Sequence, residues 1–148
     1  ARIKSLQDPA RKMSKSDPNQ SGCLYLLDPP EVIRKKIRSA VTDSGSEVRA
    51  GENKPGISNL LAILGAATGR PLGELEATFA GSQYGPFKEA VAEALVACLQ
   101  PIQEKYQEIH ENRDFLDAVF KEGAAFAQKR ANRMLSKVYR KAGFIPRT

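Results

Sequence analysis

The sequence has no tryptophan, one histidine, two methionines and two cysteines in 148 residues, and each scarcity closes off a class of chemistry. A protein-held metal needs several imidazole, thiolate or carboxylate ligands at short spacing, and Cys23 and Cys98 stand in no Cys-x-x-Cys or Cys/His cluster. No metal ligand and no disulfide framework is indicated, and both thiols are expected to be buried and reduced. His110, beside Glu108 and Glu111, has no second group to make it a base or a ligand, so a surface position is expected. No run approaches the roughly 18 apolar residues of a membrane span. The opening Ala1-Arg2-Ile3-Lys4 has neither a signal-peptide core nor an initiator Met. A piece of a longer cytoplasmic protein, with no membrane partner, is therefore expected.

What is present is an apolar fraction of 41%, enough for one domain or one domain plus part of another. The net charge of +6 is unevenly spread. Residues 1–55 carry 11 basic and 7 acidic groups, residues 56–128 carry 5 and 10, and residues 129–148 carry 7 and none. Basic ends around an acidic middle suit a polyanionic partner met by particular surfaces; a solvated charged face is the simpler alternative.

Along the chain, residues 1–28 suggest an exit strand followed by a polar loop, with residues 7–22 exposed and mobile. Asp28 is expected to cap a helix beginning Pro29-Pro30-Glu31. Its apolar face would be Ile33, Ile37, Ala40 and Val41, opposed by Arg34, Lys35, Lys36 and Arg38, and it would end at Thr42-Asp43-Ser44-Gly45. A polar loop over 45–56 leads to an apolar helix from Ile57 to Thr68, stopped by Gly69 and suited to a bundle centre. Pro71 opens a short helix through Leu72, Leu75 and Phe79 that Gly81 ends. The spacing from Phe87 to Ile109 predicts a long helix kinked at Pro101. A last helix runs from Asn112 to Ala142 with a possible break near Gly123, a stop at Gly143, and Phe144-Ile145-Pro146 beyond.

That last helix is two-faced. Lys129, Arg130, Arg133, Lys137, Arg140 and Lys141 share one side, while Ala127, Ala131, Met134, Leu135, Val138, Tyr139 and Ala142 share the other, which is expected to pack. Six cations without an acid repel one another, and a phosphate backbone would relieve that cost.

The densest chemical signal is Lys12-Met13-Ser14-Lys15-Ser16, set between Asp8-Pro9 and Asp17-Pro18. Two lysines three positions apart, with two hydroxyls, can direct ammonium groups and donors at one polyphosphate. This pentapeptide resembles the KMSKS signature of class I aminoacyl-tRNA synthetases at all five positions. The resemblance to the bacterial-type tryptophanyl-tRNA synthetases continues through Ser5-Leu6, Ser16-Asp17-Pro18-Asn19, Leu26-Leu27-Asp28-Pro29, Lys36-Ile37 and Ala40-Val41-Thr42-Asp43-Ser44. It then extends through Asn53-Lys54-Pro55-Gly56-Ile57-Ser58-Asn59-Leu60-Leu61, Tyr84-Gly85, Pro101-Ile102-Gln103-Glu104-Lys105-Tyr106 and Gly143-Phe144. Two positions depart from the family pattern: Ala50-Gly51 replace an aromatic-acidic pair, and Lys4 stands where an apolar residue is usual.

The resemblance implies a mainly α fold. Residues 1–28 would be the last strand and KMSKS loop of a Rossmann-type catalytic domain, and residues 29–148 a C-terminal α-helical bundle for tRNA and anticodon recognition. The implied activity is ATP-dependent formation of tryptophanyl-adenylate and transfer to tRNA-Trp. Lys15 would be the main triphosphate contact with Lys12 as its partner cation; Ile3, Met13, Ser14 and Ser16 would complete the ATP site, Met13 chiefly as an anchor. Magnesium is expected on the ATP, with no protein ligand identifiable. Arg130, Arg133, Lys137, Arg140 and Lys141 are the candidate tRNA contacts. The family implies a homodimer, and its HIGH-type motif and tryptophan pocket lie outside these residues, so the chain alone is expected to be inactive. A tyrosyl-tRNA synthetase, a non-catalytic tRNA-binding module and a purely structural bundle are the competing readings.

Overall fold

The computed structural model describes residues 2–145; the expectations that touch Ala1 and Pro146 lie outside the described residues. Five helices make up most of it: α1 (Pro30–Arg38), α2 (Pro55–Thr68), α3 (Leu72–Thr78), α4 (Tyr84–Glu111) and α5 (Arg113–Ala142). The chain divides into two compact units, Ala1–Gln103 and Glu104–Thr148.

In the first unit α2 is the central element. Its apolar residues Ile57, Leu60, Leu61, Ile63 and Leu64 are all buried, as near-continuous hydrophobicity predicts. Around them pack Ile33 and Ile37 of α1, Leu75 of α3, and Phe87, Val91 and Ala92 of α4. Phe87 meets Phe79 edge-on with ring centroids 5.1 Å apart, a geometry that adds about 0.5–1.5 kcal/mol to the area it buries. Pro55 starts α2 and Gly69, at φ 72°, stops it. Gly56 is required by proximity: a Cβ there would lie 2.2 Å from the Val41 carbonyl oxygen.

Several local expectations are corrected. Asp28 does not cap α1; the N-cap is Pro29, without a side-chain cap bond. The Asp28 carboxylate instead accepts from the Tyr25 N–H at 3.0 Å and the Lys36 Nζ at 2.6 Å. Lys36, assigned by its position to the basic face, is 9% exposed. The helix ends at Arg38 and Val41 is 45% exposed, because the Val41 N–H leaves the helical ladder to reach the Leu6 carbonyl at 2.8 Å. Carbonyls at and just past the end of α1 are taken by side chains: Lys88 donates to those of Arg38 and Ala40 at 3.3 and 2.7 Å, and Gln7 to that of Ser39 at 3.1 Å.

No strand forms among the described residues; the expected strand is reduced to a single antiparallel bridge between Lys4 and Lys12. Helix α4 continues through Pro101 and α5 continues through Gly123 without a break. A lone glycine lowers helix propensity by about 1 kcal/mol relative to alanine, too little to interrupt a helix of 30 residues.

In the second unit, α5 is capped by Asn112, whose side chain accepts from the Phe115 N–H, and ends at Gly143 with φ 75°. It buries none of its residues, and Met134, Leu135 and Val138 are 63%, 48% and 49% exposed. The amphipathic pattern therefore states a requirement for a partner that α5 does not meet here, contrary to the expected packing. His110 is at the surface as expected, stacked on Tyr106 at 5.4 Å.

Candidate functional site

The Lys12–Ser16 segment is one arm of a hairpin whose other arm is Ile3–Leu6. The Ser5 N–H donates to the Arg11 carbonyl at 3.0 Å and the Met13 N–H to the Ile3 carbonyl at 3.2 Å. These bonds flank the Lys4–Lys12 bridge, so the two residues face each other as a non-hydrogen-bonded pair. The turn between the arms is set by Asp8, whose Oδ1 accepts from the Ala10 N–H and whose carbonyl accepts from the Arg11 N–H. The Leu6 N–H reaches back to Gly22, which closes the segment onto its own far end.

Beyond Met13 the chain turns sharply. The Asp17 N–H donates to the Ser14 carbonyl at 3.2 Å, and the Ser14 and Ser16 hydroxyls lie 3.0 Å apart. Asp17 and Asn19 side chains then accept from backbone N–H groups two residues on, a succession of Asx turns. Lys12, Ser14, Lys15 and Ser16 are exposed, whereas Met13 and Ile3 pack against the core. Neither ammonium group has an ion-pair partner among the described residues. Met13 thus holds the loop while the polar residues on either side of it face water.

The loop tip is tied down from outside. The Tyr25 hydroxyl donates to the Lys15 carbonyl at 3.3 Å, and Lys36 lies over the Tyr25 ring at 4.7 Å while donating to the Cys23 carbonyl at 2.9 Å. Burial first, then Cys23, Asp28 and Asp17, raises the Tyr25 phenol above its ordinary pKa, so it stays a donor. Beneath the hairpin is an apolar groove of about 230 Å³, lined in part by Ile3, Met13, Leu24, Ile63, Leu95 and Cys98. Cys98 is exposed, against expectation, because this groove leaves one flank of α4 uncovered; Cys23 is buried.

A larger cavity of about 770 Å³, lined by residues that include Arg34, Arg38, Tyr84, Lys88 and Glu93, shares no residue with the loop. Its cations are largely spent internally. Arg34 is held by Glu93 at 2.7 Å, and burial lowers the Lys88 pKa while its ammonium serves the end of α1.

Near the start of α4, the Tyr84 hydroxyl donates to Asp43 Oδ1 at 2.8 Å. Burial, followed by the Asp43 carboxylate and Glu47, pushes the Tyr84 phenol up to about 12. Burial by itself would raise Asp43, but the bonds from Tyr84 and the Gly45 and Asp43 amides, with the Lys54 charge, hold it below its ordinary value. Its Oδ2 is buried without a hydrogen-bond partner among the described residues, which offsets part of the gain. The Asp43 contribution is present above its unfolded pKa of about 4 and lost as pH falls through the lower folded value. The Tyr84 contribution is present below about 10 and lost as pH rises through the folded value. Tyr84→Phe should cost about 1 kcal/mol at neutral pH, with the difference from the parent shrinking below about pH 4. Denaturant unfolding across that range measures it, and a pH-independent difference would exclude the coupling.

A family profile described as tRNA synthetases class I (W and Y) matches residues 1–100. The chain belongs to this family. A tryptophan–tRNA ligase of Clostridium tetani is 44% identical over 145 residues, covering 98% of the chain and 43% of that protein. The crystal structure of tryptophanyl-tRNA synthetase from Mycoplasma pneumoniae superposes with a TM-score of 0.73 at 39% identity, over 97% of the chain and 44% of that structure. A tyrosyl-tRNA synthetase from Aeropyrum pernix gives 0.54 at 25% identity over 81% of the chain and 38% of that structure. The chain spans less than half the length of each of these relatives.

The sequence-derived loop residues come together as one exposed turn on a buried root. Arg130, Arg133, Lys137, Arg140 and Lys141 are likewise exposed along α5, with Arg130 stacked over Phe126 at 4.5 Å. Sequence reasoning missed the residues that hold the loop, Tyr25 and Asn59. Both are polar or amphipathic residues whose partners are backbone atoms, and backbone partners leave no pattern in a sequence.

Proposed function

We propose that this chain supplies the ATP loop and the helical tRNA-recognition part of a tryptophan–tRNA ligase. The observation that carries the reading is the pair Lys12 and Lys15, exposed and without ion-pair partners among the described residues, on a turn rooted in the core by Met13. In adenylate formation the amino-acid carboxylate attacks the α-phosphate, and negative charge moves onto the leaving pyrophosphate. Cations placed where that charge accumulates stabilise the transition state more than the ground state.

In this proposal Lys15 is the main triphosphate contact and Lys12 its partner. The Ser14 and Ser16 hydroxyls, now bonded to each other, become donors to phosphate oxygens, and Ile3 lies at the adenine end. Magnesium arrives on the ATP; among the described residues no group of three or more His, Cys, Asp or Glu side chains could hold it. Residues 1–28 would close a Rossmann-type catalytic domain and residues 29–148 form the recognition domain, with the exposed cations of α5 toward tRNA-Trp. A homodimeric cytoplasmic enzyme, as the family resemblance implies, completes the proposal.

The Aeropyrum likeness keeps tyrosine as the alternative amino acid, at lower identity and coverage. ATP–pyrophosphate exchange by the complete protein decides between them: exchange should depend on tryptophan, with tyrosine at least about 10²-fold poorer in kcat/KM. The 148-residue chain alone should give none. Exchange driven better by tyrosine, or by neither amino acid, would overturn the reading.

A further inference from the structure

Asn59 differs in kind from every other buried residue of α2. It is 6% exposed among leucines and isoleucines, where a carboxamide is costly unless both its oxygen and its nitrogen find hydrogen-bond partners. Its partners are both backbone groups of one residue. Asn59 Oδ1 accepts from the Lys4 N–H at 2.8 Å, and its Nδ2 donates to the Lys4 carbonyl at 2.9 Å. A single side chain 55 positions away thus makes the pair of bonds that a neighbouring strand would otherwise make to Lys4. Lys4 in turn faces Lys12 across the hairpin, through the flanking Ser5–Arg11 and Met13–Ile3 bonds.

We propose that Asn59 is a positioning residue for the Lys12–Lys15 loop: by clamping the Lys4 backbone it fixes the height and register of the hairpin arm from which both ammonium groups project. The inference rests on the reading of that loop as an ATP site. Helix α2 is the centre of the helical core, so the clamp ties the loop root to the most buried element of the first unit, whereas Tyr25 ties only the tip. Loss of the clamp leaves two backbone groups unpaired and frees the hairpin to shift, and misplacement of catalytic groups by about 1 Å can cost up to about 10²-fold in rate.

The test uses Asn59→Leu and Asn59→Asp in the complete protein, with Leu64→Ala as a control that weakens the same helix without touching the clamp. Asn59→Asp keeps the acceptor for the Lys4 N–H and removes the donor to its carbonyl, which provides a folded variant if Asn59→Leu fails to fold. The expected result is a fall of about 10- to 100-fold in kcat/KM for ATP in pyrophosphate exchange, with amino-acid binding unchanged. Faster hydrogen exchange at the Ser5 and Met13 amides should accompany it, and neither effect should appear in Leu64→Ala. Wild-type ATP kinetics and wild-type protection at those amides would overturn the proposal, as would changes matching those of Leu64→Ala. If Lys15→Ala also leaves exchange untouched, it is the ATP-loop reading that fails; if Lys15→Ala is crippled while Asn59→Asp is normal, only the positioning role fails.

Discussion

Lys15→Ala in the complete protein should slow adenylate formation by about 10²- to 10³-fold, the loss typical of removing one preorganised contact to charge that develops in the transition state. The substitution is clean on structural grounds. None of the contacts that shape the loop tip uses the Lys15 side chain: the Lys15 carbonyl accepts from the Tyr25 hydroxyl, the Ser14 carbonyl accepts from the Asp17 N–H, and the Ser14 and Ser16 hydroxyls meet each other, so alanine retains them. Because Lys15 is exposed and makes no ion pair, folding stability should stay within about 0.5 kcal/mol of the parent. The loss should fall mainly in kcat of pyrophosphate exchange, since a contact that strengthens as charge builds up contributes little to ground-state binding. Lys15→Arg should recover part of the rate by restoring charge, though not all, because a planar fork cannot place its donors as an ammonium does. Unchanged exchange in Lys15→Ala would remove the loop from the reaction.

The helices were legible in the sequence for a definite reason: α2 and the first turns of α4 bury apolar residues at helical spacing, and Gly69 and Gly143 end α2 and α5 by adopting positive φ. The rest of the expected pattern is not buried: Leu72 of α3 and Ile102 and Tyr106 of α4 are 47%, 48% and 45% exposed, and α3 stops at Thr78, before Gly81. The loop was legible because the chemistry proposed for it is carried by residue types. What could not be read were contacts with no periodic signature. Val41 shares the apolar arc of α1, yet its N–H is claimed by Leu6, so the helix ends before it. Asn59 reads as one polar residue in an apolar run, and only its placement against the Lys4 backbone gives it a role. For α5 the pattern described two faces, but a pattern cannot name what covers the apolar one, and Met134, Leu135 and Val138 stay exposed at 63%, 48% and 49%. Helix periodicity fixes which residues can be buried together; it does not supply the partner.

Lys36 shows the same gap and carries the second large effect, on stability. On the helical wheel it joins Arg34, Lys35 and Arg38 as a solvated cation, whereas the folded chain encloses its ammonium between Asp28, Cys23 and the Tyr25 ring. The side chains of Lys36 and Asp28 are only 11% and 13% exposed, at an N–O distance of 2.6 Å. Lys36→Met keeps much of the aliphatic packing but leaves a largely buried carboxylate and the Cys23 carbonyl without their donor. Breaking one side of such a pair costs about 3–5 kcal/mol, and the remaining access to water places this case near the lower figure. Removing both charges at once, as Lys36→Met with Asp28→Leu, should regain much of the loss, because the pair's attraction mainly offsets its own desolvation. Denaturant unfolding of the two single variants and the double variant measures the cycle, and a single-variant loss under about 1 kcal/mol would mean the ammonium is effectively solvated. The consequence reaches the loop. Lys36 and Asp28 set the Tyr25 ring and its backbone, and Tyr25 holds the Lys15 carbonyl; the single variant should therefore also speed protease cleavage within residues 12–19, while Lys15→Ala leaves that rate unchanged.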